Sequence, residues 1–117
     1  MTAQTQFSGD DLRKSDPKFQ GPRFVQYLKA VERLDHFAQE NYGKRVIHLA
    51  LRWIIDRQDS TIALWGARQT SQLAPLGDVT GWHLDQSTMA EIDRILSEIV
   101  DPAGAPEFMA PPARFAA

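Results

Sequence analysis

Apolar residues recur along this chain in two rhythms, separated by polar stretches punctuated with Gly and Pro. Phe24, Tyr27, Leu28, Val31, Leu34, Phe37 and Ala38 fall at helical spacing and predict a helix over 23–42 with one apolar stripe. Pro22 suits its first turn, where a missing N–H costs nothing, and Gly43 suits the left-handed residue that closes it. Lys29, Glu32, Arg33 and Glu40 occupy the opposite, solvent face. A second helix is expected over 45–58, KRVIHLALRWIIDR. Val46, Leu49, Ala50, Trp53 and Ile54 form its main stripe. Ile47, Leu51 and Ile55 add apolar residues elsewhere, which predicts cover from more than one side.

The rhythm then changes. Thr61-Ile62-Ala63-Leu64-Trp65 is short, apolar and partly β-branched, ends at Gly66, and reads as a buried strand over 61–66. It is the one convincing strand of the sequence, and a single strand lacks a ladder partner for its backbone groups. A short helix is expected at about 69–74, cut off by Pro75. Gly77–His83 reads as a loop holding Trp82. Asp85 then looks like the N-cap of a helix over 86–99, with Met89, Ile92, Ile95, Leu96 and Ile99 on one side. Residues 1–22, broken by Gly9, Pro17, Gly21 and Pro22, read as an extended loop or tail. Residues 101–117, DPAGAPEFMAPPARFAA, read as an extended tail whose Phe108 and Met109 could dock on a surface. Helices around a nearly all-apolar strand belong to α/β proteins whose parallel strands are covered on both faces. With one strand, the chain looks like part of such a protein.

Composition narrows the chemistry. The chain has 117 residues, enough for one ordinary domain. Its 43% apolar and 24% charged residues are those of a globular protein. No cysteine is present, which excludes a disulfide framework, a thiolate metal site and a Cys nucleophile. A net charge of −2 lacks the basic footprint of a nucleic-acid binder. No apolar run approaches the ~20 residues of a membrane span, and the N-terminus does not read as a signal peptide. A soluble cytoplasmic protein is the expectation. His36, His48 and His83 have no metal-ligand spacing and read as solvated or helix-flanking. Asp56, Asp59 and Ser60 resemble loop and cap chemistry, and Trp53, Tyr27 and Phe37 resemble core. A helix-turn-helix reading of 23–58 fails because its second helix is apolar where a recognition helix is polar.

The sharpest candidate site is Trp65-Gly66-Ala67-Arg68, with Gln72 behind it, where the expected strand opens onto a helical turn. A glycine there lets a ligand approach the backbone closely. Free N–H groups of the next turn favour an anion, and Arg68 offers a bidentate cation for a phosphate. A turn glycine beside a solvated arginine accounts for the same residues equally well.

In order and spacing, FVQYLKAVERLDHFAQENYGK, VIHLALRWII, TIALWGARQTSQL and GWHLDQSTMAEIDRI resemble the C-terminal part of an aldo-keto reductase. DDLRKSDPKFQGPRF resembles the loop after the seventh barrel strand of that family, and PEFMAPP resembles bacterial tails. The likeness runs over roughly residues 8–100. It implies the C-terminal part of a (β/α)₈ barrel that reduces carbonyls with NADPH, with 23–100 supplying the last peripheral helices, the eighth strand and its cofactor loop. By the same resemblance, Gly66, Ala67, Arg68 and Gln72 contact the adenosine end of NADP(H). Arg68 would pair with the 2′-phosphate, and Gln72 would bond the adenosine ribose or phosphate.

The chain departs from the family pattern in three ways. Pro75 and Leu76 stand where the family usually has an acidic residue and an Asn gripping the adenine, and Trp65 stands where Pro is commoner. The catalytic Tyr, Lys, Asp and His come from earlier strands and loops, so no catalytic residue is expected here. Tyr27 sits in an apolar stripe and Tyr42 at a helix end, and neither reads as a general acid. The isolated chain is therefore expected to be inactive, to contribute a cofactor site to a complete barrel, and to self-associate through its unpaired strand or pack loosely. The alternatives are a small non-catalytic helical interaction module, or a truncated gene product.

Overall fold

A computed structural model describes residues 1–100. Three α-helices carry the fold: α1, Gly21–Tyr42; α2, Val46–Ile55; and α3, Gln86–Ile99. Helix α1 packs against both α2 and α3. The shared core is Ala38, Leu49, Leu84 and Ile92, with Leu34, Phe37, Trp53, Met89 and Leu96 packed around it. Ile95 on α3 is also fully buried.

Each helix end has a local cause. Gly43 takes φ +63°, and the amides of Gly43 and Lys44 donate to the carbonyls of Gln39 and Ala38, closing α1. The Asp35 carboxylate reaches out of α1 to start α2: its Oδ1 accepts from the Val46 amide at 2.8 Å and from Arg45 Nε at 2.9 Å. His48 Nδ1 accepts from the Arg45 amide at 3.1 Å, so this histidine is a buried cap rather than a solvated side chain. Asp85 Oδ1 accepts from the Thr88 amide at 2.8 Å and opens α3.

Several expectations are corrected. Val31 is exposed and Ala30 is buried, so the inner stripe of α1 is rotated from the one the periodicity suggests. Helix α2 ends at Ile55, and its outer residues Ile47 and Ile54 face solvent. Leu49 and Leu51 are both buried, and both α1 and the segment Thr70–Asp78 pack on α2, so the expected cover from more than one side is present in part. The segment 61–66 is not a buried strand. No strand occurs among the described residues, and Ile62 and Leu64 are 83% and 94% exposed. The physical reason is the missing ladder partner: without a second strand, the backbone groups of 61–66 have nothing to pair with in the chain itself. Pro75 does not end the following helical segment. A 3₁₀ run spans Thr70–Asp78 with Pro75 inside it. The N-terminal stretch is not simply extended either. Two 3₁₀ turns, Leu12–Lys14 and Pro17–Phe19, are capped by Asp11 and Asp16. Phe7, Phe19 and Phe24 pack ring to ring at 5.4–6.4 Å and fasten the stretch to α1. The tail expected over 101–117, with Phe108 and Met109, lies outside the described residues.

One buried ion pair joins α2 to the loop that precedes α3. Arg52, 6% exposed, forks onto the Asp56 carboxylate and also donates to the Val79 carbonyl at 3.2 Å. The same carboxylate accepts from the Leu84 amide at 2.8 Å. His83 Nδ1 lies 3.0 Å from Arg52 Nη2 and 3.4 Å from Asp56 Oδ1. Burial pushes the Asp56 carboxyl up, but the hydrogen bonds from Arg52, Leu84 and His83 outweigh it and hold it below its ordinary value.

Breaking a buried pair by removing one partner leaves a charge without its counterpart. Arg52→Ala is therefore expected to cost about 3 kcal/mol in urea denaturation. Because the folded carboxyl titrates below the ordinary 3.8, its contribution is complete at neutral pH and is lost as the pH falls through that value and the lower folded one. The thermal midpoint should drop in acid. Asp56→Asn should lower the midpoint at neutral pH and flatten the acid slope.

Candidate functional site

Gly66, Ala67, Arg68 and Gln72 line one cavity of about 970 Å³. The rest of its lining comes from the N-terminal segment, by Ser8, Asp10, Asp11, Leu12 and Arg13. The size is at the upper end of the ~300–1,000 Å³ typical of small-molecule sites.

The loop 65–72 is closed by two hydrogen bonds of its own. Gln72 Oε1 accepts from the Arg68 amide at 2.7 Å. The Trp65 indole N–H donates to the Gln72 carbonyl at 3.0 Å. Gln72 thus spends its side-chain oxygen on the loop, leaving its amide NH₂ for a ligand. A Cβ built on Gly66 meets nothing within 4 Å, so the backbone there borders open space, and its φ is not one that demands glycine. Neither backbone strain nor a neighbouring atom of the chain itself requires glycine at 66. The Arg68 guanidinium is exposed and has no ion pair with any described residue. Pro75 and Leu76 do not line the cavity; both belong to the 3₁₀ run.

The N-terminal lining carries both signs of charge. Arg13 forks onto Asp11, with Nε to Oδ1 at 3.0 Å and Nη2 to Oδ2 at 2.6 Å, and the Arg13 amide also donates to Oδ1. Those bonds from the Arg13 side chain and amide, aided by the field of Arg68, hold the Asp11 carboxyl at about 2. In the sequence, residues 1–22 read as an extended loop or tail, and DDLRKSDPKFQGPRF was placed only by its family resemblance. The missed signal was Asp11-x-Arg13, a carboxylate two residues before an arginine, which can fork locally and cap a turn.

The other singled-out residues are elsewhere. His48, in the first turn of α2, is buried with Asp78 3.9 Å away, and His83 is in the loop next to Arg52. Tyr27 lines a separate apolar cavity with Phe19, Phe24 and Val31. Tyr42 Oη lies 2.8 Å from Thr88 Oγ1 and its ring packs on Trp82 at 5.0 Å, tying α1 to α3 rather than facing a cavity.

The cavity thus brings together one glycine, the Arg68 guanidinium without an ion pair, a hydrogen-bonded loop and two carboxylates. The chain matches the model of the aldo/keto reductase family over residues 1–97, and it belongs to that family. It is 55% identical over 115 residues to aldo-keto reductase YhdN of Bacillus subtilis (strain 168), an alignment covering 97% of this chain and 34% of that protein. It also resembles the structure of the glycerol dehydrogenase AKR11B4 from Gluconobacter oxydans, with a TM-score of 0.81 and 42% identity over 94% of this chain and 33% of that one. The chain spans about a third of the length of each. The family fold is the (β/α)₈ barrel. Among the described residues, no helix is long and apolar enough to cross a membrane.

Gln72→Leu should free the Arg68 amide. Its hydrogen exchange, followed by NMR, is expected to accelerate at least ten-fold, with a global stability change below ~1 kcal/mol because the bond is at the surface.

Proposed function

We propose that this chain supplies the adenosine end of the NADP(H) site of a carbonyl-reducing aldo-keto reductase, with Arg68 binding the 2′-phosphate. The observation that carries the reading is the unpaired Arg68 guanidinium on the same cavity as Gly66 and Gln72. A phosphate monoester accepts two parallel N–H bonds from a guanidinium. The open space at Gly66 leaves room for the nucleotide to lie against the backbone. Gln72 holds the loop through Arg68 and keeps its NH₂ group for the ribose. Adenine gains no hydrogen bond from Pro75 or Leu76 in this reading, so affinity rests on the phosphate rather than on the base. The nicotinamide end of the cofactor, when bound, supplies the hydride. The groups that polarise the carbonyl belong to barrel strands that this chain does not provide, and Tyr27 and Tyr42 are occupied elsewhere.

Titration with NADPH, read by tryptophan fluorescence through Trp65, tests the proposal. Binding is expected with NADPH and at least ten-fold more weakly with NADH, and Arg68→Ala should remove the difference, since a charge-assisted bond is worth ~1.5–3 kcal/mol. Equal responses to the two nucleotides, or none to either up to millimolar concentration, refute it.

A second consequence concerns residues 61–66, which we read as a core strand of the complete barrel. Support comes from their alternation: Thr61, Ala63 and Trp65 are half-buried while Ile62 and Leu64 stand out in solvent. Such a face invites pairing with another chain. In sedimentation velocity at micromolar concentration the chain should associate, and Ile62→Lys with Leu64→Lys should return it to a monomer.

A further inference from the structure

The ion pair at the end of α2 is not sealed from water. The side chains of Arg52 and Asp56 are 8% and 10% exposed, but the imidazole of His83, which touches both, is 80% exposed. Its Nδ1 lies 3.0 Å from Arg52 Nη2 and 3.4 Å from Asp56 Oδ1. One ring nitrogen therefore meets a group that can only donate and a group that can only accept, because a guanidinium has no acceptor and an ionised carboxylate has no donor. Toward Arg52, Nδ1 must offer a lone pair. Toward Asp56, it must carry a proton. The two bonds exclude one another, and the protonation of the ring decides which is made.

The shorter contact belongs to the uncharged ring. With the ring hydrogen on Nε2, Arg52 uses four of its five N–H groups: two on Asp56, one on the Val79 carbonyl and one on His83. Protonation fills Nδ1, removes the last of these bonds and sets a second cation beside Arg52. The new N–H then finds Asp56 Oδ1. The carboxylate stays ionised while this happens, since burial raises its pKa but the bonds from Arg52, Leu84 and His83 hold it below its ordinary value. The neighbouring charges are engaged elsewhere. Asp85 spends Oδ1 on the Ser87 hydroxyl and the Thr88 amide. Lys44 pairs with Asp78, which also lies 3.9 Å from His48. Arg57, just past α2, reaches Asp93 of α3. Among the described residues, Arg52 and Asp56 are the charged groups in hydrogen-bond contact with His83.

We propose that His83 is a proton-operated partner switch on the buried pair: uncharged, its Nδ1 accepts from Arg52, and charged, the same nitrogen donates to Asp56. The exchange reaches the interior through bonds the pair already makes, from Arg52 to the Val79 carbonyl and from the Leu84 amide to Asp56. Both residues are buried, and Val79 is the C-cap of the 3₁₀ run Thr70–Asp78. Histidine is the side chain that changes charge between about pH 5 and pH 8. Across that range, the junction between the 3₁₀ run and α3 senses solvent through one exposed ring. The switch is independent of the cavity at Gly66 and Gln72, whatever ligand that cavity takes.

The test is NMR on the full chain. At about pH 8, long-range proton–nitrogen correlation of the His83 ring should find hydrogen on Nε2 and none on Nδ1. A neutral ring with its hydrogen on Nδ1 overturns the inference, and this result needs no variant. Between about pH 8 and pH 5 the Arg52 Nε–H and the Leu84 amide resonances should shift with the same midpoint as the His83 ring. His83→Gln keeps an acceptor within reach of Arg52 but takes up no proton, and the exposed site should tolerate it. The shifts should be lost in that variant, whereas a contribution from His36 or His48 would persist. Shifts that survive His83→Gln unchanged overturn the inference, as do Arg52 and Leu84 signals that stay fixed while His83 titrates.

Discussion

The constraint on which the rest of the fold depends is the buried fork between Arg52 and Asp56. Helix α2 is short, and three helices alone do not fix where the connection between it and α3 must run. The fork does so, because a desolvated carboxylate needs its remaining lone pairs filled and the Leu84 amide fills one. The Val79 carbonyl takes the spare donor of Arg52 from the other side. Leu84 and Val79 are both buried as a result, and Leu84 belongs to the common core with Ala38, Leu49 and Ile92. One ion pair thus carries the chain from the end of α2 across the intervening irregular stretch to the cap of α3. Around it, exposed pairs such as Arg33 with Glu98 at 2.7 Å link α1 to α3 at the surface, where screening makes them weak.

How much of this was legible in sequence depends on how local each cause is. Gly43 and Asp85 act on amides within a few residues, and their residue types announce the job. The stripe of α1 was legible only approximately. Periodicity cannot tell Ala30 from Val31 when the partner helices decide which side is covered. Arg52 was not legible at all. A charged residue inside VIHLALRWII reads as the solvent side of a helix, and its burial depends on carbonyl and amide groups from residues 79 and 84. For His48 the helix-flanking reading holds and the solvated one does not, since it is buried and its partner is the backbone at the helix start.

The candidate site divides along the same line. Gly66, Ala67, Arg68 and Gln72 are close in sequence, so their spacing brings them together whatever the rest of the chain does. The other lining residues, Asp10, Asp11 and Arg13, come from the other end of the described chain, in a stretch that read as loop or tail and was placed only by family resemblance. The pattern of 61–66 forms no strand among the described residues for a complementary reason. β-propensity describes a side-chain pattern, while a strand exists only through hydrogen bonds to a neighbour. A chain one-third as long as its relatives can keep the pattern without the neighbour.

The segment Thr70–Asp78 has a consequence of its own. It is a 3₁₀ run of nine residues, with no buried side chain and with a proline inside it. Such bonds are poorly aligned, and runs this long are uncommon. Regions with few buried contacts and solvent-exposed backbone bonds open at small free energies. Gln72, which holds the Arg68 amide, lies within this run. The loop is therefore pinned at one end to a segment that can be remodelled cheaply, so the pocket wall it forms is softer than the one anchored on three phenylalanines in edge-on and tilted contact.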